Sequence, residues 1–152
     1  MDIIVRQLDI MSHGKQMMKH REEPMKIDSI DHVVLTVKSI EATCEFYSKV
    51  LGMEVVTFGE GRKALSFGSQ KLNLQQVGRE STLIAEKPTP GSADVCFVTS
   101  ASVPDVVTHL DSCGVKLVGG PVERNGARGP MTSVYFRDPD MNLIEVSNYA
   151  RK

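Results

Sequence analysis

One histidine, two carboxylates and two amides carry the chemistry this chain offers: His32, Asp94, Glu145, Asn73 and Gln75. An imidazole nitrogen beside carboxylate and amide oxygens makes a mixed nitrogen and oxygen shell, suited to a divalent ion such as Mn, Fe, Co, Ni or Zn. Ligand chemistry alone does not choose among these metals. Two carboxylates brought together in a partly dry site repel, and a divalent cation is the natural compensator. His32, Asp94 and Glu145 are far apart in the chain, so only the fold can gather them.

The elements that must do so are visible as periodicity. Val33, Leu35 and Val37 alternate with His32, Val34 and Thr36, as the two faces of a strand do. Ser39 is placed to cap a helix with Ile40, Cys44, Tyr47 and Leu51 at helical spacing, and Gly52 stands where a left-handed stop is expected. Strands are predicted near Met53 to Phe58, Lys63 to Phe67 and Lys71 to Val77, which completes a βαβββ unit. After a polar link from Glu80 to Ser92 the order begins again: Asp94 to Gly114 repeats His32 to Gly52 at an offset of 62. Ser102 and Asp105 resemble a capping box for a second helix from about Val103 to Cys113. Strands are then predicted at Val115 to Val118, Met131 to Arg137 and Leu143 to Ser147, with RDPDMN as the last hairpin turn.

The expected fold is α+β: two repeated βαβββ modules, about 29–78 and 92–149, forming a curved eight-stranded cup in a single domain, 28–150. Residues 1–27 are expected to be a loosely ordered extension. Alternation places His32, Thr36, Ser66, Asn73, Gln75, Asp94, Cys96, Ser133, Tyr135 and Glu145 on the face opposite the helices. An open sheet with one wetted side would alternate in the same way, whereas an inward-curved sheet would bring His32, Asp94 and Glu145 towards one point. The segment GPVERNGARGP, rich in glycine and proline, is predicted to be a mobile loop and a candidate lid. Its Arg124 and Arg128 suit a substrate carboxylate through paired donors, unless they are merely solvated. Cys44 and Cys113 fall at apolar helix positions, Cys96 faces the cup, and His13, His20 and His109 are expected on the surface or in the tail.

Composition excludes several classes. The 152 residues hold one domain, and 18 basic against 19 acidic residues include no basic run that could follow a phosphate backbone, which argues against nucleic acid. No apolar run approaches the roughly 20 residues that a membrane-spanning helix needs. Three cysteines without CxxC spacing point to a reducing, cytoplasmic setting.

The paired units, the opening IDHVVLTVKSIEATCEFYSKVLGMEVV and the closing VYFRDPDMNLIEVSNY together resemble the vicinal oxygen chelate superfamily of glyoxalases, extradiol dioxygenases and antibiotic resistance proteins, over about residues 29–149. The stretches FGEGRKALSFGSQKLNLQ, PTPGSADVCF and GPVERNGARGP are similar to one subgroup, the glyoxalase domain-containing proteins. In metal-using members the ligands come from the first and last strands of each module. That pattern falls here on His32, on Asn73 or Gln75, on Asp94 and on Glu145. Asp94 stands where glyoxalase I and extradiol dioxygenases have a histidine, and Asn73 where glyoxalase I has a glutamate, so the resemblance argues against glyoxalase I activity.

The resemblance implies a metal set of His32, Gln75 and Glu145, with Asn73 and Asp94 as alternatives. It implies a metal-dependent isomerase, lyase or oxygenase whose small substrate binds through two neighbouring oxygens, the metal acting as a Lewis acid. Glu145 and Tyr135 are then the candidate catalytic groups, and Arg124, Arg128 and Asp94 the candidate substrate contacts. The alternative function is metal-free sequestration of a small molecule in the same cup. Dimerisation is common among similar proteins, so a homodimer is expected.

Overall fold

The computed structural model describes residues 25–79 and 82–149. Most of the expected extension, with His13 and His20, lies outside the described residues. The element order is β1 (His32–Val37), α1 (Ile40–Leu51), β2 (Glu54–Phe58), β3 (Arg62–Phe67), β4 (Gln70–Gln76), β5 (Asp94–Val98), α2 (Val103–Ser112), β6 (Gly119–Gly126), β7 (Gly129–Arg137) and β8 (Leu143–Tyr149). The βαβββ unit therefore occurs twice.

Both helices start where their caps require. The Ser39 hydroxyl accepts from the Ala42 amide at 3.2 Å, and Gly52 ends α1 at φ 65°, its N–H turned back to the last carbonyls. Ser102 does the same for α2, accepting from the Asp105 amide while donating to the Asp105 carboxylate. The buried stripe of α1 is Thr43, Tyr47 and Val50. It is rotated from the expected one, leaving Ile40, Cys44 and Leu51 only half-buried.

The strands form two four-stranded sheets, ordered β1-β4-β3-β2 and β5-β8-β7-β6. In each, the first strand runs parallel to the last of its module and the others pair antiparallel. The eight strands are thus split between sheets that share no hydrogen-bonded edge.

One expected strand and one expected loop exchange places. Val115 to Val118 is not a strand, and the segment read as a mobile lid forms β6 and the start of β7, with Val122 opposite Ser133 and Arg124 opposite Met131. Its glycines serve close approach: a Cβ on Gly120 would strike the Ser133 carbonyl, and one on Gly126 would strike the Tyr149 hydroxyl.

A single core joins the modules. Leu35, Tyr47 and Leu65 of the first pack in one cluster with Leu110, Val134 and Phe136 of the second. Phe46 meets Phe136 at 6.3 Å, and Phe67 meets Phe97 edge-on at 5.3 Å. His109 is exposed, as expected of a surface residue, and also donates from Nε2 to the Val50 carbonyl at 3.0 Å, which ties α2 to α1. With the apolar faces committed to this core, both polar sheet faces are turned away from it. No helix among the described residues is long and apolar enough to cross a membrane.

Candidate functional site

The polar face of the first sheet carries His32 and Thr36 on β1, Lys71, Asn73 and Gln75 on β4, and Arg62 and Ser66 on β3. A cavity of about 650 Å³ opens on it, with His32, Asn73, Gln75, Phe58, Arg62 and Arg79 in its wall. His32 Nδ1 lies 2.6 Å from Asp31 Oδ1. A carboxylate only accepts, so Nδ1 carries a proton and the neutral ring presents its lone pair at Nε2, which is how an outer carboxylate orients a metal-binding imidazole. The hydrogen bond from His32 also holds the Asp31 carboxyl below its ordinary value.

The amides beside His32 differ. Gln75 Nε2 donates to Thr36 Oγ1 at 2.7 Å, which fixes the side chain and leaves its carbonyl oxygen unused. Asn73 Oδ1 is buried and has no hydrogen-bond partner. An unpaired buried acceptor costs about 1–3 kcal/mol unless something supplies a donor or a cation. An imidazole nitrogen and two amide oxygens therefore suit the hard or borderline divalent ion expected from sequence, but as only part of its shell.

The second sheet presents a different set. Glu145 on β8 stands opposite Tyr135 on β7 and Cys96 on β5. Ser147 Oγ donates to Glu145 Oε1 at 3.1 Å, so Ser133, 2.7 Å from Ser147, must donate in turn. Cys96 Sγ joins at 3.2 Å from Ser147, and burial first of all pushes its thiol up, away from the thiolate a nucleophile needs. Arg124 Nε donates to the Tyr135 hydroxyl oxygen at 3.0 Å, which leaves the Tyr135 proton free for another acceptor. Arg128 instead lies over the Tyr149 ring at 4.3 Å, so the two arginines address different tyrosines. Asp94 is exposed at the start of β5, paired with Leu143.

The structure thus gathers His32, Asn73 and Gln75 in one half-site and Glu145, Tyr135 and Arg124 in another. The cavity beside His32 is walled by first-module residues and a linker residue, Leu83, without Glu145 or Asp94. Among the described residues no three of His, Cys, Asp and Glu cluster closely enough to hold a metal. Both β1 and β5 are edge strands, and Val33, Val34 and Val98 on them are 44%, 47% and 52% exposed. Exposed apolar edge strands are templates for pairing with another chain.

Sequence reasoning passed over Asp31, Phe58, Arg62, Lys71 and Arg79. For Arg62 and Lys71 the signal was present: they share the parity of Ser66 and Asn73 on their strands.

Comparison with known proteins places this geometry in context. The family model of the Glyoxalase/Bleomycin resistance protein/Dioxygenase superfamily matches residues 29–146. The chain is 54% identical over 132 residues to Virulence protein STM3117 of Salmonella typhimurium, covering 86% of this chain and 92% of that one. The crystal structure of that protein superposes with a TM-score of 0.82, over 83% of this chain and all of the other. Glyoxalase domain-containing protein RDO1 of Mycosarcoma maydis is 50% identical over 131 residues, 86% of this chain and 74% of that protein.

Proposed function

The chain belongs to the glyoxalase/bleomycin resistance protein/dioxygenase superfamily, and from that premise we propose that it is a divalent-metal-dependent enzyme acting on a small oxygen-chelating substrate, in a site built by two copies of the chain. The observation that carries this is the pairing of His32, its Nε2 freed by Asp31, with the buried, unpartnered Asn73 Oδ1 in one cavity. His32, Gln75 and Glu145 would hold the metal, with Asn73 and Asp94 as alternative donors. One half-site supplies one imidazole and two neutral amides but, of the proposed ligands, no carboxylate to offset the charge of a dication. The unpaired β1 and β5 edges would bring Glu145 of a second copy over the first sheet, which makes the expected homodimer the working unit.

When bound, the metal would act as a Lewis acid on two neighbouring substrate oxygens and stabilise enolate-like charge. The protein's own part is positional. Asp31 fixes the His32 tautomer, and Ser147 holds the Glu145 carboxylate in one orientation. Tyr135, accepting from Arg124, directs its own proton outwards to a substrate oxygen, as a proton donor or an orienting group.

The test is metal content by mass spectrometry on untagged protein purified without chelators, for the wild type, His32→Ala, Glu145→Ala and an unfolded and refolded mixture of the two variants. Near-stoichiometric metal in the wild type and little in either variant is expected. Mixing should restore about a quarter of the wild-type content, because half of the random dimers carry one intact site. No metal after challenge with Mn, Fe, Co, Ni and Zn would sink the metal assignment. Metal lost in both variants but not restored by mixing would place the whole site within one chain.

A further inference from the structure

The cavity beside His32 carries positive side chains for which metal binding has no use. Arg62 and Arg79 share its wall with His32 and Asn73. Arg62 lies over the Phe58 ring at 4.6 Å and Lys71 over the same ring at 4.5 Å. A cation held on an aromatic face is positioned without spending its N–H donors, so the planar Arg62 fork is left open for an acceptor. Among the described residues no lysine or arginine lies within ion-pair distance of a carboxylate. Glu60 also lines the cavity, yet it lies beyond ion-pair distance of Arg62, Lys71 and Arg79. No carboxylate among the described residues therefore pairs directly with these cations. Solvated arginines on a loop tip would need no such arrangement, but these border a cavity of about 650 Å³, within the range of small-molecule sites. Its apolar wall, with Phe58, Val34 and Leu83, has room for a short hydrocarbon body.

We propose that this cavity takes a small substrate bearing a carboxylate, which Arg62 and Arg79 hold while its chelating oxygens lie at His32 and the neighbouring amides. The inference rests on the cavity being the substrate site. It adds the substrate's charge, its carboxylate chemistry and two specificity residues. A guanidinium fork matches a carboxylate through two parallel bonds, and a second anionic group on the substrate offsets charge that a bound dication would increase.

The experiment is calorimetric titration of the full chain, after chelation and again after metal loading. The probes are succinate and salicylate, their neutral amides succinamide and salicylamide, and inorganic phosphate. Both carboxylates should bind the chelated protein, with each amide at least about tenfold weaker, the loss expected when one side of a charge-assisted pair is removed. Arg62→Gln and Arg79→Gln should each erase most of that acid-over-amide preference. Their exposed positions leave the fold intact, which circular dichroism checks. His32→Ala should keep the preference in the chelated protein. Equal binding of acid and amide, a preference unchanged in both arginine variants, or saturable binding of phosphate but of neither carboxylate would each overturn the proposal. A wild type that holds no metal yet prefers acids would overturn the metal assignment and leave the carboxylate site standing. Bound metal with no preference for acids would do the reverse.

Discussion

The two modules repeat one architecture and present opposite chemistry on equivalent faces. The first sheet offers an imidazole, cations and an amide oxygen with nothing to bond, around an open cavity. The second offers a carboxylate held by a chain of two serines, and a tyrosine whose oxygen accepts from an arginine. An unsatisfied half is built to receive, whereas a satisfied half holds one carboxylate still.

The same asymmetry runs through the turns. The hairpin between β3 and β4 closes on Gly68 and Ser69, both exposed. Its counterpart between β7 and β8 buries Asp138, which accepts from the Asp140 and Asn142 amides, from Asn142 Nδ2 and, across the module boundary, from the Tyr47 hydroxyl at 2.9 Å. Asp140 in turn accepts from the Lys38 amide. Asp138→Ala should be the most damaging single change, costing about 3–5 kcal/mol by urea denaturation, since it orphans several donors worth roughly 1–3 kcal/mol each. Ser69→Ala in the first hairpin should change stability by no more than about 0.5 kcal/mol. Similar losses at both turns would remove the claim that the second one staples the modules together.

Glycines sharpen the contrast at the next level. Gly61 and Gly120 share nearly the same positive φ, 84° and 86°. A Cβ on Gly61 meets open space, while one on Gly120 meets the Ser133 carbonyl. Gly61→Ala should cost about 1–2 kcal/mol from conformation alone. Gly120→Ala should cost about 2–4 kcal/mol, because overpacking adds to the same strain. Equal thermal shifts in the two variants would mean that β6 yields more readily than its packing suggests.

Much of this was legible in the chain, and the exceptions have physical causes. The strand at His32 to Val37 and the caps at Ser39, Gly52 and Ser102 are local signals that the structure keeps, although burial along β1 runs from exposed to buried, with Val33 exposed and Thr36 buried, because the strand enters the core only at its end. Segment 119–126 was not legible, because glycine marks both a flexible loop and a strand pressed against neighbours, and only Tyr135, Ser133 and Tyr149 decide between them. The face each candidate ligand occupies follows from parity, but which faces meet depends on packing between sheets, which no local pattern encodes. Arg62 and Lys71 escaped notice because a charged strand residue reads as solvated until the aromatic ring beneath it is seen.

Tyr47 links the modules and adds a pH dependence. Burial, and then the nearby Asp138 carboxylate, push its hydroxyl far above the ordinary phenol range. A folded pKa raised in this way favours the protonated form. The stability Tyr47 contributes is thus fully present below the unfolded value of about 10 and declines as pH rises beyond it. Tyr47→Phe should lower stability by about 1–3 kcal/mol at neutral pH. It should also flatten the alkaline decline, as followed by urea midpoints between about pH 8 and 11. An alkaline decline as steep as in the wild type would assign the effect to other groups.

The smallest expected difference lies between the two helix caps. Ser39 and Ser102 each accept one first-turn amide, so replacing either with alanine should cost about 1 kcal/mol. What differs is what else holds each helix. Three residues of α1 are buried, Thr43, Tyr47 and Val50, against Leu110 alone in α2. A helix with three buried side chains opens only with the whole domain, whereas one with a single buried side chain, held otherwise by half-buried valines and the His109 hydrogen bond, can fray from an uncapped end. Native-state hydrogen exchange should therefore show the amides of Val106 and Val107 speeding up in Ser102→Ala by more than the fall in global stability explains. Those of Thr43 and Cys44 in Ser39→Ala should track global unfolding. If both helices opened locally to the same degree, the modules would be equally anchored, and their asymmetry would be confined to the sheet faces and turns.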